Sequence, residues 1–162
     1  MNLIRRLDDL VLDNVFEPIA WRTEARWGVS SFDIARFVLV LWPSAQWAYA
    51  TSIKTGMTWP VITFLGSIVA YFWSFDLERR VRPGHLNPER AGTVEMCWRV
   101  IVGAFLVPAL VIEPIMTSQW FGTLSSLGLW LFFCFCACNP MPPDFKKRQE
   151  AKDGTLATGR AH

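Results

Sequence analysis

Cys134, Cys136 and Cys138 stand at alternate positions in WLFFCFCACNP, and Cys97 is the one other thiol. Thiols grouped in this way can ligate a metal, carry redox chemistry or pack as small apolar side chains. On a helix, positions 134 and 138 lie about 40° apart and share a face, while 136 points about 200° away from 134. Three thiolates on one ion therefore need an unwound helix end, and tetrahedral zinc wants a fourth ligand. Cys97, Cys134 and Cys138 are the candidate ligands, with His85 the side chain that could complete the set. Packing as small hydrophobes is the simpler reading. On it, neither a metal nor a cofactor is expected.

Two further groups could do chemistry. The stretch DLERRVRPGHLNPER gathers Arg79, Arg80, Arg82, His85 and Arg90 close to the start of a predicted helix. Guanidinium forks and free helix-end N–H groups suit phosphate, and lipid headgroups are the nearest phosphates to hand. Glu113, followed by Pro114, is the one carboxylate close to a long apolar run, and Gln46 lies within another. A transport site would use such groups, because an ion in hydrocarbon is costly to hold. An interfacial acid ending a short span is the blander alternative for Glu113.

The elements that must position these residues are apolar. The chain of 162 residues is 52% hydrophobic, with nine Trp, twelve Phe and a mean hydropathy of +0.25. Four stretches are nearly free of charge, at about 37–53, 57–75, 98–116 and 120–138. Roughly 20 apolar residues cross about 30 Å of hydrocarbon, and about 17 suffice when flanking side chains reach the headgroups. The expected fold is therefore all-α: a polytopic membrane protein of four transmembrane helices, preceded by an amphipathic helix. Ser30 and Asp33 form an S-x-x-D start ahead of the first span. Asn87-Pro88-Glu89 reads as a cap for the third, and Asn139-Pro140 closes the fourth. Pro43 and Pro108 fall inside spans, where proline can break a helix.

Residues 2–19 read as a helix with Leu3, Ile4, Leu7, Leu10, Val11 and Val15 on one face and Arg5, Arg6, Asp9 and Asp13 opposite, stopped by Pro18. With Asp8, Asp9 and Asp13 offsetting the two Arg, attraction to anionic lipid is expected to be weak. Lying on lipid and docking on the bundle or a partner are equally open. The organisation is then a helix and linker over 1–30, a bundle over 31–139 with its loop at 76–97, and a basic, unstructured tail over 140–162. Of the 16 Lys and Arg, all but Lys54 flank the N-terminal segment, the middle loop or the tail. The positive-inside bias puts both termini and that loop in the cytoplasm, which for a bacterium means the inner membrane. Trp59 and Trp120 then fall at outer ends, and Trp73 and Trp98 at inner ends.

Four spans, cytoplasmic ends and four cysteines resemble, in outline, the membrane thiol oxidoreductases that reoxidise disulfide-forming proteins. That family keeps a C-x-x-C pair and a second pair on the oxidising side; here C-x-x-C is absent and every thiol falls on the reducing side. A small multidrug exporter is similar in size and span count but needs an acid in its first span, where this chain has Gln46. A haem bundle needs histidine within the spans, and His85 and His162 lie outside them. A net charge of +2, with no basic stripe interleaved with aromatics, argues against nucleic acid. Thr63/Ser67, Gly66/Ala70 and Gly122/Ser126 are small-x-x-x-small pairs that let helices approach. The expectation is a non-enzymatic accessory, assembly or scaffolding subunit whose partners are membrane lipids and another membrane protein or itself. The alternatives are a small oligomeric channel or transporter, and a membrane enzyme using the cysteines or the arginine loop.

Overall fold

The computed structural model describes residues 2–54, 56–81, 87, 90, 92–112 and 118–142. Arg82, His85, Glu113 and the tail beyond residue 142 lie outside the described residues. Among those described, every regular element is a helix. The chain begins with α1 (Asn2–Val11), a π-helical turn (Leu12–Phe16) and α2 (Glu17–Trp27), which run on as one helical stretch. Then follow α3 (Ser31–Leu39), α4 (Leu41–Ile53), α5 (Thr58–Arg80), α6 (Thr93–Ile112) and α7 (Ser118–Cys136).

Pro18 does not stop the first helix. It sits in the first turn of α2, and the wide turn ahead of it absorbs the missing N–H: Glu17 N–H bonds to Leu12 O instead of a carbonyl four back. The π turn also sets which face docks. In a pure α-helix the series 8, 12, 16, 20 drifts by about 40° per step, and a wider turn rotates less per residue and counters that drift. Asp8, Leu12, Phe16 and Ala20 accordingly form the buried stripe. Leu3, Leu7, Leu10 and Val15, expected on the packing or lipid face, are exposed. Gly28, at φ 69°, ends α2 in the left-handed region that glycine enters without strain.

The S-x-x-D start closes as a capping box. Ser30 Oγ accepts from Asp33 N (3.2 Å), and the Asp33 carboxylate accepts from Ser30 N (3.0 Å). The helical run that follows is broken at Val40, three residues before Pro43. Pro43 has no N–H for the Leu39 carbonyl, and Val40 N–H turns to Phe37 O (3.2 Å). The expected first span is thus a kinked pair, α3 and α4, whereas Pro108 sits inside α6 without dividing it. Lys54, at φ 52°, terminates α4.

Three helices are long and apolar enough to cross a membrane: α5, α6 and Gln119–Cys136 of α7. The central one is α7, which packs on α3, α4 and α6 and touches the π turn, while α5 lies on α3 and α4. Small residues set the closest approaches. A Cβ on Gly128 would fall 2.8 Å from Leu41 Cβ and 2.9 Å from Trp42 N; one on Gly103 would fall 2.7 Å from the Trp130 ring. Gly66 faces the Trp42 ring at 2.9 Å, and Gly122 meets Tyr49 at 3.6 Å. Thr63 is buried and bonds back to Trp59 O and Pro60 O, Ala70 packs on the core, Ser67 is half-buried and Ser126 is exposed. The core lies toward the end where α7 finishes. Phe16 meets Trp130 and Phe135 edge-on at 5.6 and 5.1 Å, and Trp98 meets Phe133 at 5.0 Å. Away from this core the helices show apolar side chains outward, among them Val69 and Phe72 of α5 and Phe105, Val111 and Ile112 of α6.

Candidate functional site: a polar clamp at the arginine-rich end

The last turn of α7 brings the three cysteines to the core, with Cys134, Cys136 and Cys138 each at most 1% exposed. The helix finishes at Cys136, so Cys138 lies in a bend rather than on the helical face of the sequence reading, and its thiol donates to Cys134 O at 3.4 Å. Cys97 is half-buried on α6. Among the described residues, no three of His, Cys, Asp and Glu gather as metal ligands. The thiols sit where a small apolar side chain fits.

Polar chemistry surrounds the carbonyls beside them. The helix end leaves C=O groups without intrahelical partners, and Asn87 from the middle loop supplies donors. Its Nδ2 reaches Cys136 O at 2.7 Å and Cys138 O at 2.9 Å. This side-chain amide, expected to cap α6, thus closes α7. Asn139 completes the joint, since its Oδ1 accepts from Asn87 N (3.0 Å) while its backbone O accepts from Trp21 Nε1 (3.0 Å). Asn139 N and Nδ2 both donate to Glu17 Oε1, at 3.1 and 2.8 Å.

Glu17 ties this joint to Arg90. The Arg90 guanidinium donates to Glu17 at 2.6 Å, to Asp13 at 2.6 Å and to Asp9 at 3.0 and 3.1 Å. Its Nε, Nη1 and Nη2 thus all reach carboxylates of the N-terminal helix, in place of the phosphate expected from the sequence. Asp9, Asp13 and Glu17 follow one another at four-residue spacing, which a helical stretch keeps along one side. Burial pushes the Glu17 carboxyl above its ordinary pKa, although the Asn139 N–H and the Arg90 charge pull the other way. Burial works against the Arg90 cation, but its hydrogen bonds to Asp13 and Asp9 and the charge of Glu17 outweigh it, and its pKa rises.

Next to Asp9 on α1, Asp8 meets Arg99 of α6. The pair is bidentate, at 3.0 and 2.5 Å, with side chains only 5% and 2% exposed. Trp130 Nε1 donates to Arg99 O at 2.7 Å, so α7 braces the residue from behind. A third cluster lies on α3, where Arg36 bonds to Ser74 (3.0 Å), Asp33 (2.9 Å) and Glu78, with its guanidinium 3.7 Å from the Phe75 ring centroid. Burial alone would raise the Asp33 carboxyl; bonds from Ser30 and the Arg36 charge prevail and lower it.

Of the arginines read as phosphate contacts, Arg79 and Arg80 are exposed at the end of α5, with Arg80 paired to Asp76. Gln46 is half-buried on α4. The groups that carry the joint were read differently in the sequence. Asp9 and Asp13 looked like a solvent face, and Arg99 looked like one more flanking charge. The legible signal was Arg99 itself, an arginine inside a run that is otherwise apolar, which calls for a counter-charge. Comparison with family models, with curated proteins and with solved structures finds no match for this chain.

Proposed function

We propose that the chain is a four-span integral membrane protein acting as a non-enzymatic accessory or assembly subunit. The carrying observation is the state of its buried polar groups. Among the described residues, no buried side-chain nitrogen or oxygen lacks a hydrogen-bond partner. The partners named above are the chain's own segments: Asp8 holds Arg99, Arg90 holds three carboxylates, and Asn87 and Asn139 join the end of α7 to the N-terminal helix. A catalytic or transport site characteristically aims polar groups with shifted acidity at a cavity. Here they brace helices.

The span count rests on α5, α6 and α7 together with residues 37–53 of the kinked α3–α4 run, about the length that suffices when flanking side chains reach the headgroups. Lys54 lies at one end of this bundle, and Arg36, Arg79, Arg80, Arg90 and Arg99 lie toward the other, the asymmetry expected of a cytoplasmic arginine-rich side. Outward apolar residues of α5 and α6 supply surface for lipid or for another protein's helices. Purification from native membranes in gentle detergent, followed by mass spectrometry, tests the reading. A stoichiometric membrane partner is expected to co-purify, and recovery of the chain alone removes the accessory role.

A further inference from the structure

The N-terminal helix is apolar on two sides. Its stripe of Asp8, Leu12, Phe16 and Ala20 docks, while Leu3, Leu7 and Leu10, spaced by four and three residues, remain 70, 44 and 58% exposed. This outer face is continuous with that of α6. Leu7 and Val15 line one wall of a groove of about 500 Å³, and Ala104 and Val107 of α6 line the other. One turn on from Val107, Val111 is 82% exposed on a helix long and apolar enough to cross a membrane. Whatever solvates this face of α6 therefore reaches Leu7 across the groove, which Asp8 and Arg99 also line.

The charges are sorted to match. From composition, Asp8, Asp9 and Asp13 cancel the two arginines of this helix and make it a poor ligand for phosphate-bearing lipid. In the fold, Asp8 is buried on Arg99, and Asp9, Asp13 and Glu17 bond to Arg90. Asp9 and Asp13 keep 40 and 52% of their side chains exposed but are paired to Arg90, and Arg6 is left exposed on the flank of the leucine face, with Arg5 exposed on the far side.

We propose that α1 is a phospholipid-binding element: Leu3, Leu7 and Leu10 lie against acyl chains continuous with those around α6, and Arg6, on the flank of that face, contacts a headgroup phosphate. Arginine can do both at once, laying its methylenes on apolar surface while its head reaches the phosphate. The inference rests on the membrane reading above and is independent of any partner protein.

Spin-label relaxation on the full chain in phosphatidylcholine vesicles containing phosphatidylglycerol tests it. Single cysteines placed at Leu3, Leu7, Leu10 and Phe72, with Cys97→Ser and the three buried thiols left in place, are relaxed by oxygen, which partitions into lipid, and by a water-soluble nickel chelate. Oxygen is expected to dominate at 3, 7 and 10 as it does at 72, and the nickel chelate at a control label on Arg22. Arg6→Glu is expected to lower the oxygen-to-nickel ratio at position 7 and leave that at 72 unchanged. Nickel dominating at 3, 7 and 10 with oxygen dominating at 72 overturns the proposal alone, by placing the face in water. Exclusion of both relaxants overturns it by placing the face against protein, a second copy included. Nickel dominating at 72 overturns the membrane reading as well. An unchanged ratio at position 7 in the charge-reversed variant removes the phosphate contact.

Discussion

Two residues separate a tolerated methyl group from a damaging one. At Gly122 an added Cβ meets the Tyr49 ring at an ordinary contact distance of 3.6 Å, whereas at Gly128 it meets Leu41 Cβ and the Trp42 backbone below 3.0 Å, so α4 and α7 would have to part. Gly128→Ala is expected to cost about 1–3 kcal/mol, in the range of overpacked cores. Gly122→Ala should be near neutral, and thermal unfolding in detergent compares the two. The sequence reading selected Gly122 because Ser126 lies four residues on, yet Ser126 is exposed and the tight seam runs past Gly128. Small-residue spacing reports where helices can approach; which face is used depends on the partner helix's register. Asp33 gives a pH signature at the same scale. Its folded pKa is lowered, so its contribution is fully present above the unfolded value of about 3.9 and is lost as pH falls through the folded value. The stability gap between wild type and Asp33→Asn should therefore shrink on acidification below that window, which unfolding scans from neutral to strongly acidic pH would record.

At the scale of elements, the N-terminal helix meets α6 through a buried ion pair. Breaking the buried Asp8–Arg99 pair from one side leaves an uncompensated ion, and Arg99→Met or Asp8→Leu alone is expected to destabilise by about 3–5 kcal/mol. The double variant removes both ions and should recover most of that loss, since a well-packed apolar pair of similar volume is often as stable as the ion pair it replaces. Chemical denaturation of the four chains forms the double-mutant cycle, and additive losses would deny the coupling. The Ser30–Asp33 cap and the closing Asn139-Pro140 were legible because their signals are local in sequence. The docking face of the first helix was not. Its periodicity was read at 100° per residue throughout, and the π turn at Leu12–Phe16 shifts the phase midway. Pro18 likewise signalled a stop, which the wide turn made unnecessary.

For the molecule as a whole, all-helical architecture and a membrane-compatible exterior followed from apolar runs too long and too evenly apolar for a soluble core. The joint at the arginine-rich end did not follow. Arg90 meets carboxylates more than 70 residues away, and Asn139 meets Glu17 122 residues away. No periodicity encodes such pairings. The proposed four-span topology makes Lys54, four residues ahead of the 23-residue α5, and Arg79, near its far end, face opposite compartments. In a Cys97→Ser background, an impermeant maleimide should label Lys54→Cys only from outside and Arg79→Cys only from the cytoplasmic side. Labelling of both from one side sinks the topology. The buried thiols 134, 136 and 138 should stay unlabelled in either orientation until the chain is denatured.

The wide turn between Leu12 and Phe16 has a consequence for how this protein can change. One extra residue in that turn keeps two stretches of helix in phase, with Phe16 on the aromatic core and Asp8 over Arg99. Losing one residue there can be absorbed by tightening to an α turn, because five residues of the wide turn and four of α-helix sweep about the same angle. Losing one from the α-helical segments on either side would instead swivel the leading segment by about 100°, parting acid from base without altering either. Alignment of the chain's first helical stretch is thus an arithmetic property of spacing, vulnerable to a deletion beside the wide turn more than to most replacements.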